Sequence, residues 1–156
     1  MSESYWDHIE KAYNEVNLNS KPKVIANCLS KYPEYVVNLL AAHWLLSEVA
    51  NGGMIQFLFN QTGVLTLEVE KAFNKIDLQG VAELITHIIS KFGKEFPLDT
   101  RLRQKDLLKM AQVKNENDLF DSNIFTDIEN ILFSIGGNDF NKIYDRMDEY
   151  AYKSKK

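Results

Sequence analysis

Apolar residues recur at intervals of three and four positions along almost the whole chain, and this spacing limits the possible folds more than any other feature of the sequence. Two stretches show it most clearly: Val81, Leu84, Ile85, Ile88, Ile89 and Phe92, and then Phe125, Ile128, Ile131, Leu132 and Ile135. Such spacing places apolar side chains on one face of an α-helix, and no segment keeps the period of two typical of a β-strand. The sequence therefore predicts an all-α fold, a compact helical bundle of about seven or eight helices.

Length and composition predict one domain over residues 1–156. A chain of 156 residues with 45% hydrophobic residues and a formal net charge of −4 can bury a sizeable core. Cys28 is the single cysteine, which excludes an internal disulfide and a cysteine-based zinc site within one chain. The longest uncharged stretch, 49–67, is too polar to span a membrane, and residues 1–20 hold no apolar run typical of a secretory signal. We therefore expect a cytoplasmic protein with no membrane contact.

Glycine and proline divide the helical pattern. Gly93 closes one amphipathic stretch, and the pair Gly136-Gly137 precedes the last one. The stretch from Lys94 to Arg103, which contains Pro97, is predicted to be the longest loop.

The centre of the chain is its most informative part. Residues 35–51 are apolar around most of a helix, and the run Asn51-Gly52-Gly53 predicts that this helix ends in a tight turn. A short helix should follow, with Gln56 and Asn60 on one narrow polar stripe. An otherwise apolar setting would then contain four polar side chains: Glu48, Asn51, Gln56 and Asn60. These four either bond one another and the backbone of the turn, or line a small polar pocket.

The same region carries a pattern that resembles a known protein family. Eleven positions within twenty residues match it: Trp44, Glu48, Val49, Asn51, Gly52, Gly53, Gln56, Phe57, Phe59, Asn60 and Gly63. Written as W-x3-E-V-x-N-G-G-x-x-Q-F-x-F-N-x-x-G, the pattern is similar to the signature of the DNA mimic protein 19-like family of small bacterial helical proteins. The resemblance implies an all-α fold and no assigned enzyme activity.

In a DNA-mimic member of that family, acidic side chains imitate phosphates and occupy the DNA-binding face of a transcription factor. Here the acids concentrate in residues 115–149, the acidic segment, which holds 9 acidic and 2 basic residues and a net charge of −7. Seven of them form the predicted partner face: Asp118, Asp121, Asp127, Glu129, Asp139, Asp145 and Asp148. A basic stretch, residues 91–114, either pairs with these acids inside one molecule or leaves them to a partner. The acidic balance of the chain argues against direct binding to nucleic acid.

Three functions stay open at this point. The first is a non-enzymatic protein-binding module, monomeric or homodimeric, that meets a basic surface of a partner such as a transcription regulator. The second is an immunity-type inhibitor of a toxin or an enzyme. The third is a small-ligand pocket built by the motif: Trp44, Glu48, Asn51, Gly52, Gly53, Gln56 and Asn60. The sequence holds no catalytic constellation, cofactor fingerprint or metal-ligand spacing, so we expect no enzyme activity, no cofactor and no metal.

Overall fold

A computed structural model describes residues 3–155 and confirms the all-α class. Nine α-helices occur in this part of the chain: α1 Tyr5–Glu15, α2 Pro22–Leu29, α3 Glu34–Phe59, α4 Thr66–Lys75, α5 Gln79–Ser90, α6 Thr100–Ala111, α7 Glu116–Phe120, α8 Thr126–Gly136 and α9 Asn141–Ser154. Two 3₁₀ turns, Gln61–Leu65 and Asn138–Phe140, connect α3 to α4 and α8 to α9. The count slightly exceeds the expected seven or eight because a helix as short as α7 leaves little periodicity in the sequence. Met1, Ser2 and Lys156, which the predicted domain includes, lie outside the described residues.

Helix α3 is the centre of the bundle. It contacts α1, α4, α6, α7 and α9, which agrees with its apolar character around most of its circumference. Its fully buried side chains include Leu39, Leu45, Leu46, Phe57 and Leu58. Each such side chain contributes about 1.5–3 kcal/mol when it leaves water, so α3 supplies a large part of the hydrophobic free energy. Although α3 is the longest helix among residues 3–155, neither it nor any other helix there is long and apolar enough to cross a membrane.

A sharp kink interrupts α3 at Gly52 and Gly53. Both residues leave helical geometry, and Gly53 has φ +83° and ψ 179°, a combination that is essentially limited to glycine. In a straight helix, residues 48 and 60 would lie about 18 Å apart along the axis. The side chains of Glu48 and Asn60 are instead hydrogen-bonded at 2.9 Å, so the segment after the kink turns back toward Glu48. The break predicted at Asn51-Gly52-Gly53 is therefore confirmed.

A carboxylate from α8 caps the segment that follows the kink. The backbone N–H of Met54 donates to Glu129 Oε2 at 2.6 Å. The first N–H groups of a helical segment have no partner within the segment, and a negative charge is favourable at that end. Glu129 therefore ties α8 to α3 at the point where α3 changes direction.

Aromatic side chains join α1 to α3 and α9. The ring of Tyr5 stacks on Tyr144 with centroids 5.7 Å apart, and the ring of Tyr13 stacks on Trp44 at 5.0 Å. Tyr5 Oη lies 2.8 Å from His43 Nδ1. Aromatic pairs of this kind contribute about 0.5–1.5 kcal/mol beyond the area they bury, so these rings hold α1 against the central helix.

The loop predicted from Lys94 to Arg103 is too long. Helix α6 begins at Thr100, because Asp99 caps it by accepting a hydrogen bond from the Leu102 N–H at 3.0 Å. Arg103 therefore belongs to the first turns of a helix, and its side chain is directed to α3.

Replacing Gly53 by alanine should destabilise the fold more than the same change at Gly137. Both glycines combine a positive φ with an extended ψ, so an added Cβ is strained at either position. At Gly53 the Cβ would also lie 2.5 Å from Glu129 Oε2, whereas at Gly137 its three nearest neighbours would be flexible side-chain carbons of Lys142 at 3.4 Å. We expect Gly53→Ala to lose about 1–2 kcal/mol more of the unfolding free energy in urea denaturation. Equal losses of unfolding free energy in the two variants would show that the Glu129 side chain moves aside at no energetic cost.

Protonation of His43 should weaken the fold. Burial lowers the pKa of His43 below its ordinary 6.5, so the unfolded chain binds more protons between the folded pKa and 6.5. Stability therefore rises with pH through that window and falls as the pH drops from about 7.5 to about 5. In urea denaturation at both pH values, His43→Gln should reduce this pH dependence, and His87→Gln, at an exposed position, is the matched control. An unaltered pH dependence in His43→Gln would contradict the assignment.

Candidate functional site

Four polar side chains meet where the segment after the kink returns to the first part of α3. We call them the polar cluster: Glu48, Gln56, Asn60 and Thr62. Glu48 Oε2 accepts a hydrogen bond from Asn60 Nδ2 at 2.9 Å, and Glu48 Oε1 accepts one from Gln56 Nε2 at 3.4 Å. The Thr62 hydroxyl lies 3.1 Å from Glu48 Oε2 and 2.9 Å from the Phe57 carbonyl oxygen. Since a hydroxyl carries one proton, Thr62 serves one of these two acceptors at a time.

Asn51 stands outside the polar cluster. Its side chain is exposed at the kink and makes no hydrogen bond to another described residue. Thr62 joins instead, because the 3₁₀ turn after α3 carries it back to Glu48. The prediction that the polar residues bond one another therefore holds for Glu48, Gln56 and Asn60 and is wrong for Asn51.

The guanidinium of Arg103 holds the end of α3. This side chain is fully buried, with 0% of the residue exposed. Its Nε donates to the Leu58 carbonyl oxygen at 2.6 Å, and its Nη2 donates to the Asn60 carbonyl oxygen at 2.8 Å. Further bonds run to the carbonyl oxygens of Pro97 and Leu98 and to Thr100 Oγ1. One side chain thus gathers the end of α3 and the loop before α6.

These bonds use the chemistry of a helix C-terminus. The last carbonyl groups of a helix lack partners within the helix and carry partial negative charge. A planar cation with five donors satisfies several of them at once. Gln104 adds a hydrogen bond from its Nε2 to the Phe59 carbonyl oxygen at 2.9 Å. Burial lowers the pKa of Arg103 to about 10, with Asp99 opposing the shift, so the guanidinium remains protonated near neutral pH.

Asn60 links the two networks. Its carbonyl oxygen accepts from Arg103, and its side chain donates to Glu48. Gly63 follows in the same turn, where an added Cβ would meet the Leu58 carbonyl oxygen at 2.7 Å and crowd the guanidinium. Glu48, Asn60 and Gly63 of the sequence pattern therefore close the end of α3 against α6.

A cleft with a volume of about 540 Å³ opens beside the polar cluster. One side is formed by the end of α1 and the connection to α2, where three asparagines line it: Asn14, Asn17 and Asn19. The other side is formed by α3 and the turn after it, with Trp44, Glu48, Asn60 and Thr62. Of the predicted motif residues, the cleft takes Trp44, Glu48 and Asn60. The remaining four do not line it: Asn51, Gly52, Gly53 and Gln56.

The seven acids of the predicted partner face separate into two groups. Glu129 caps the segment after the kink, and Asp148 Oδ1 accepts from the Tyr5 N–H at 2.7 Å, where the first turn of α1 needs acceptors. These two carboxylates make structural hydrogen bonds to backbone N–H groups, so we no longer count them in the predicted partner face. The other five are exposed: Asp118, Asp121, Asp127, Asp139 and Asp145.

Two of the three histidines contact neighbouring side chains. His8 contacts Glu3 at 3.1 Å and Tyr35 at 3.3 Å, and His43 is hydrogen-bonded to Tyr5. Within residues 3–155, no three histidine, cysteine or acidic side chains form a group that could hold a metal ion.

Arg103 was not predicted from the sequence to be part of this site, although its helical spacing carries a signal. It precedes Leu107 by four positions and Ala111 by eight, so it stands in register with the apolar face of α6. A charged residue at such a position must find partners when it is buried. Thr62 carried no comparable signal, because its contact with Glu48 exists only once the chain has turned back after the kink.

Comparison with known proteins agrees with the resemblance seen in the central pattern. A family model described as DMP19-like protein matches residues 30–154, about four fifths of the chain. The chain therefore belongs to the DMP19-like protein family. No curated protein and no solved structure matches it.

Replacing Arg103 by methionine should strongly lower the free energy of unfolding. Methionine fills similar space but removes the donor of the buried Leu58 carbonyl oxygen. It also removes the bonds to the part-buried carbonyl oxygens of Asn60, Pro97 and Leu98, at a cost of about 1–3 kcal/mol for each group that water does not reach. We expect Arg103→Met to lose about 3 kcal/mol or more in urea denaturation. Arg101→Met makes the same change at an exposed position of α6 and should stay within about 0.5 kcal/mol of the native chain. Comparable losses in both variants would contradict the anchoring role.

Proposed function

We propose that this DMP19-like protein is a non-enzymatic protein-binding module whose exposed carboxylates meet a basic surface of a partner. The observation that carries the proposal is that the exposed acids of the acidic segment are not neutralised within the molecule. Family membership supports an all-α protein of this kind, and the family resemblance suggests a DNA-binding regulator as the partner.

The ion pairs among residues 3–155 leave the exposed acids of this segment unpaired. Lysine or arginine ion pairs occur at Lys75–Glu34, Arg146–Asp77 and Lys155–Glu3, and His8 Nε2 lies 3.1 Å from Glu3 Oε2. None of them involves the exposed Asp118, Asp121, Asp127, Asp139 or Asp145. Arg146, one of the two bases in the segment, is directed instead to Asp77, in the turn between α4 and α5. The alternative that the basic stretch 91–114 neutralises these acids internally receives no support.

Unpaired surface carboxylates favour a basic partner for electrostatic reasons. They attract the same arginine and lysine side chains that would otherwise contact phosphates, and they speed encounter with a positively charged surface. Attraction of this kind is screened over about 10 Å at 0.1 M salt and about 3 Å at 1 M. Binding through this surface should therefore weaken steeply with salt.

The polar cluster supports a non-catalytic role. Glu48 is surrounded by amide and hydroxyl donors, and neither histidine, cysteine nor lysine is among the described residues that line the cleft. A carboxylate alone lacks the nucleophile or second acid–base group that hydrolytic sites use.

Removing three exposed acids should abolish capture of the partner. At about 0.1 M salt, we expect the wild-type chain to retain a partner protein from native lysate. The triple variant Asp121→Asn, Asp127→Asn, Asp145→Asn should not retain it. The control Glu10→Gln, Glu83→Gln, Glu95→Gln removes the same number of exposed charges outside the acidic segment and should retain it. Mass spectrometry of the captured protein identifies the partner.

The nature of the captured protein decides between forms of the proposal. A DNA-binding regulator that duplex DNA displaces would support mimicry, and a toxin or enzyme would support inhibition through the same surface. Capture that survives the triple variant, or that is insensitive to about 1 M salt, would contradict a contact made by these carboxylates.

A further inference from the structure

We propose that the cleft beside the polar cluster is a binding site for an organic cation, a guanidinium or ammonium group whose N–H groups reach Glu48. This site lies between α1 and α3 and uses none of the exposed acids of the acidic segment. The inference is therefore independent of the proposed partner surface.

The charge of the cleft selects a cation. Glu48 is the one charged side chain among the described residues that line it. No ion pair within residues 3–155 includes Glu48, and Arg103, which Asn60 links to it, is occupied by carbonyl oxygens. An anion would be repelled by this carboxylate with no positive group to compensate, whereas a cation would form an ion pair with it.

Glu48 also keeps unused capacity to accept hydrogen bonds. An ionised carboxylate offers about four lone-pair sites. Its Oε1 receives one donor in the described structure, Gln56 Nε2, at the long distance of 3.4 Å. Its Oε2 is bonded by Asn60 and shares the Thr62 proton with the Phe57 carbonyl oxygen. These donors are neutral amides and a hydroxyl, so a cationic ligand N–H would add the attraction between two opposite charges that they lack.

The walls of the cleft suit the rest of such a group. Asn14 and Gln61 offer amide oxygens, and both side chains are exposed. Trp44 places an indole in the lining, and Tyr13 stacks on one face of this ring. Aromatic faces attract guanidinium and ammonium groups, so a cation over the opposite face would be favoured. The volume of about 540 Å³ is in the range of small-molecule sites.

The floor of the cleft is held in place before any ligand arrives. The backbone of Asn60 is fixed by Arg103 from the buried side, and its side chain is fixed by Glu48. Binding therefore orders few additional groups, and preorganisation of this kind favours affinity.

The test is a titration monitored by two-dimensional NMR, with two probes of similar shape. Nα-acetyl-arginine amide carries the guanidinium, and Nα-acetyl-citrulline amide replaces it with a neutral urea. We expect saturable shifts at the Trp44 indole N–H and the Asn60 side-chain amide with the arginine probe, and binding weaker by about tenfold or more with citrulline. Equal binding of both probes, or arginine shifts confined to the acidic segment, would overturn the proposal.

Variants keep the test independent of folding defects. Glu48→Gln should weaken the arginine probe by about tenfold or more. Should Glu48→Gln alter the fold, Asn14→Lys tests the same point, because it adds a competing cation at the rim and replaces an exposed side chain. Asn27→Lys makes the same change on an exposed position of α2 that does not line the cleft, and it should bind as the wild type does. Unchanged binding in Asn14→Lys and Glu48→Gln would overturn the proposal.

Two sources can supply the cation, and further arms separate them. Agmatine represents a free amine or guanidine compound, and the blocked arginine represents a side chain of a protein. Tighter binding of agmatine in the cleft indicates the first source, and tighter binding of the blocked arginine indicates the second. The triple variant of the acidic segment should bind either probe in the cleft as the wild type does, so failure of the partner surface and failure of the cleft are distinguishable.

Discussion

The bonds from the Arg103 guanidinium to the carbonyl oxygens of Leu58 and Asn60 are the constraint on which the rest of the centre depends. They hold the end of α3 after the kink has reversed its direction, and they join α6 to the central helix. With Asn60 fixed from the buried side, its amide is free to bond Glu48 on the other side. The polar cluster and the floor of the cleft are consequences of that arrangement.

The central sequence pattern contains several residues that this reversal requires. Gly53 adopts a backbone conformation that is essentially limited to glycine, and Glu129 caps the backbone N–H of the next residue, Met54. Gly63 leaves room for the guanidinium beside the Leu58 carbonyl group. The acids proposed to meet a partner lie elsewhere: on α7 and the residue that follows it, on α8, on the turn before α9, and on α9. Structural anchoring and partner binding therefore occupy different residues, and even within the acidic segment Glu129 and Asp148 serve the fold.

Much of the architecture could be predicted from the sequence because it follows from local patterns. Apolar spacing of three and four identified the helical class, and Asn51-Gly52-Gly53 marked the break in α3. The grouping of Glu48, Gln56 and Asn60 followed from their polarity in an apolar setting. Contacts between distant residues escaped this reasoning: Arg103 reaches Leu58 across 45 positions, and Asp148 reaches Tyr5 across 143. Asn51 was misplaced for the same reason, since the direction of its side chain depends on the geometry of the kink.

Arg103 and Glu48 are coupled through Asn60, which bonds both of them. A double-mutant cycle with Glu48→Gln and Arg103→Lys tests it most directly, because lysine keeps the charge but loses the planar fork of donors. Urea denaturation of the four proteins should show an interaction energy of about 0.5–2 kcal/mol between the two substitutions. Additive losses, within about 0.3–0.5 kcal/mol, would show that the two sides of α3 are held independently and would contradict the account.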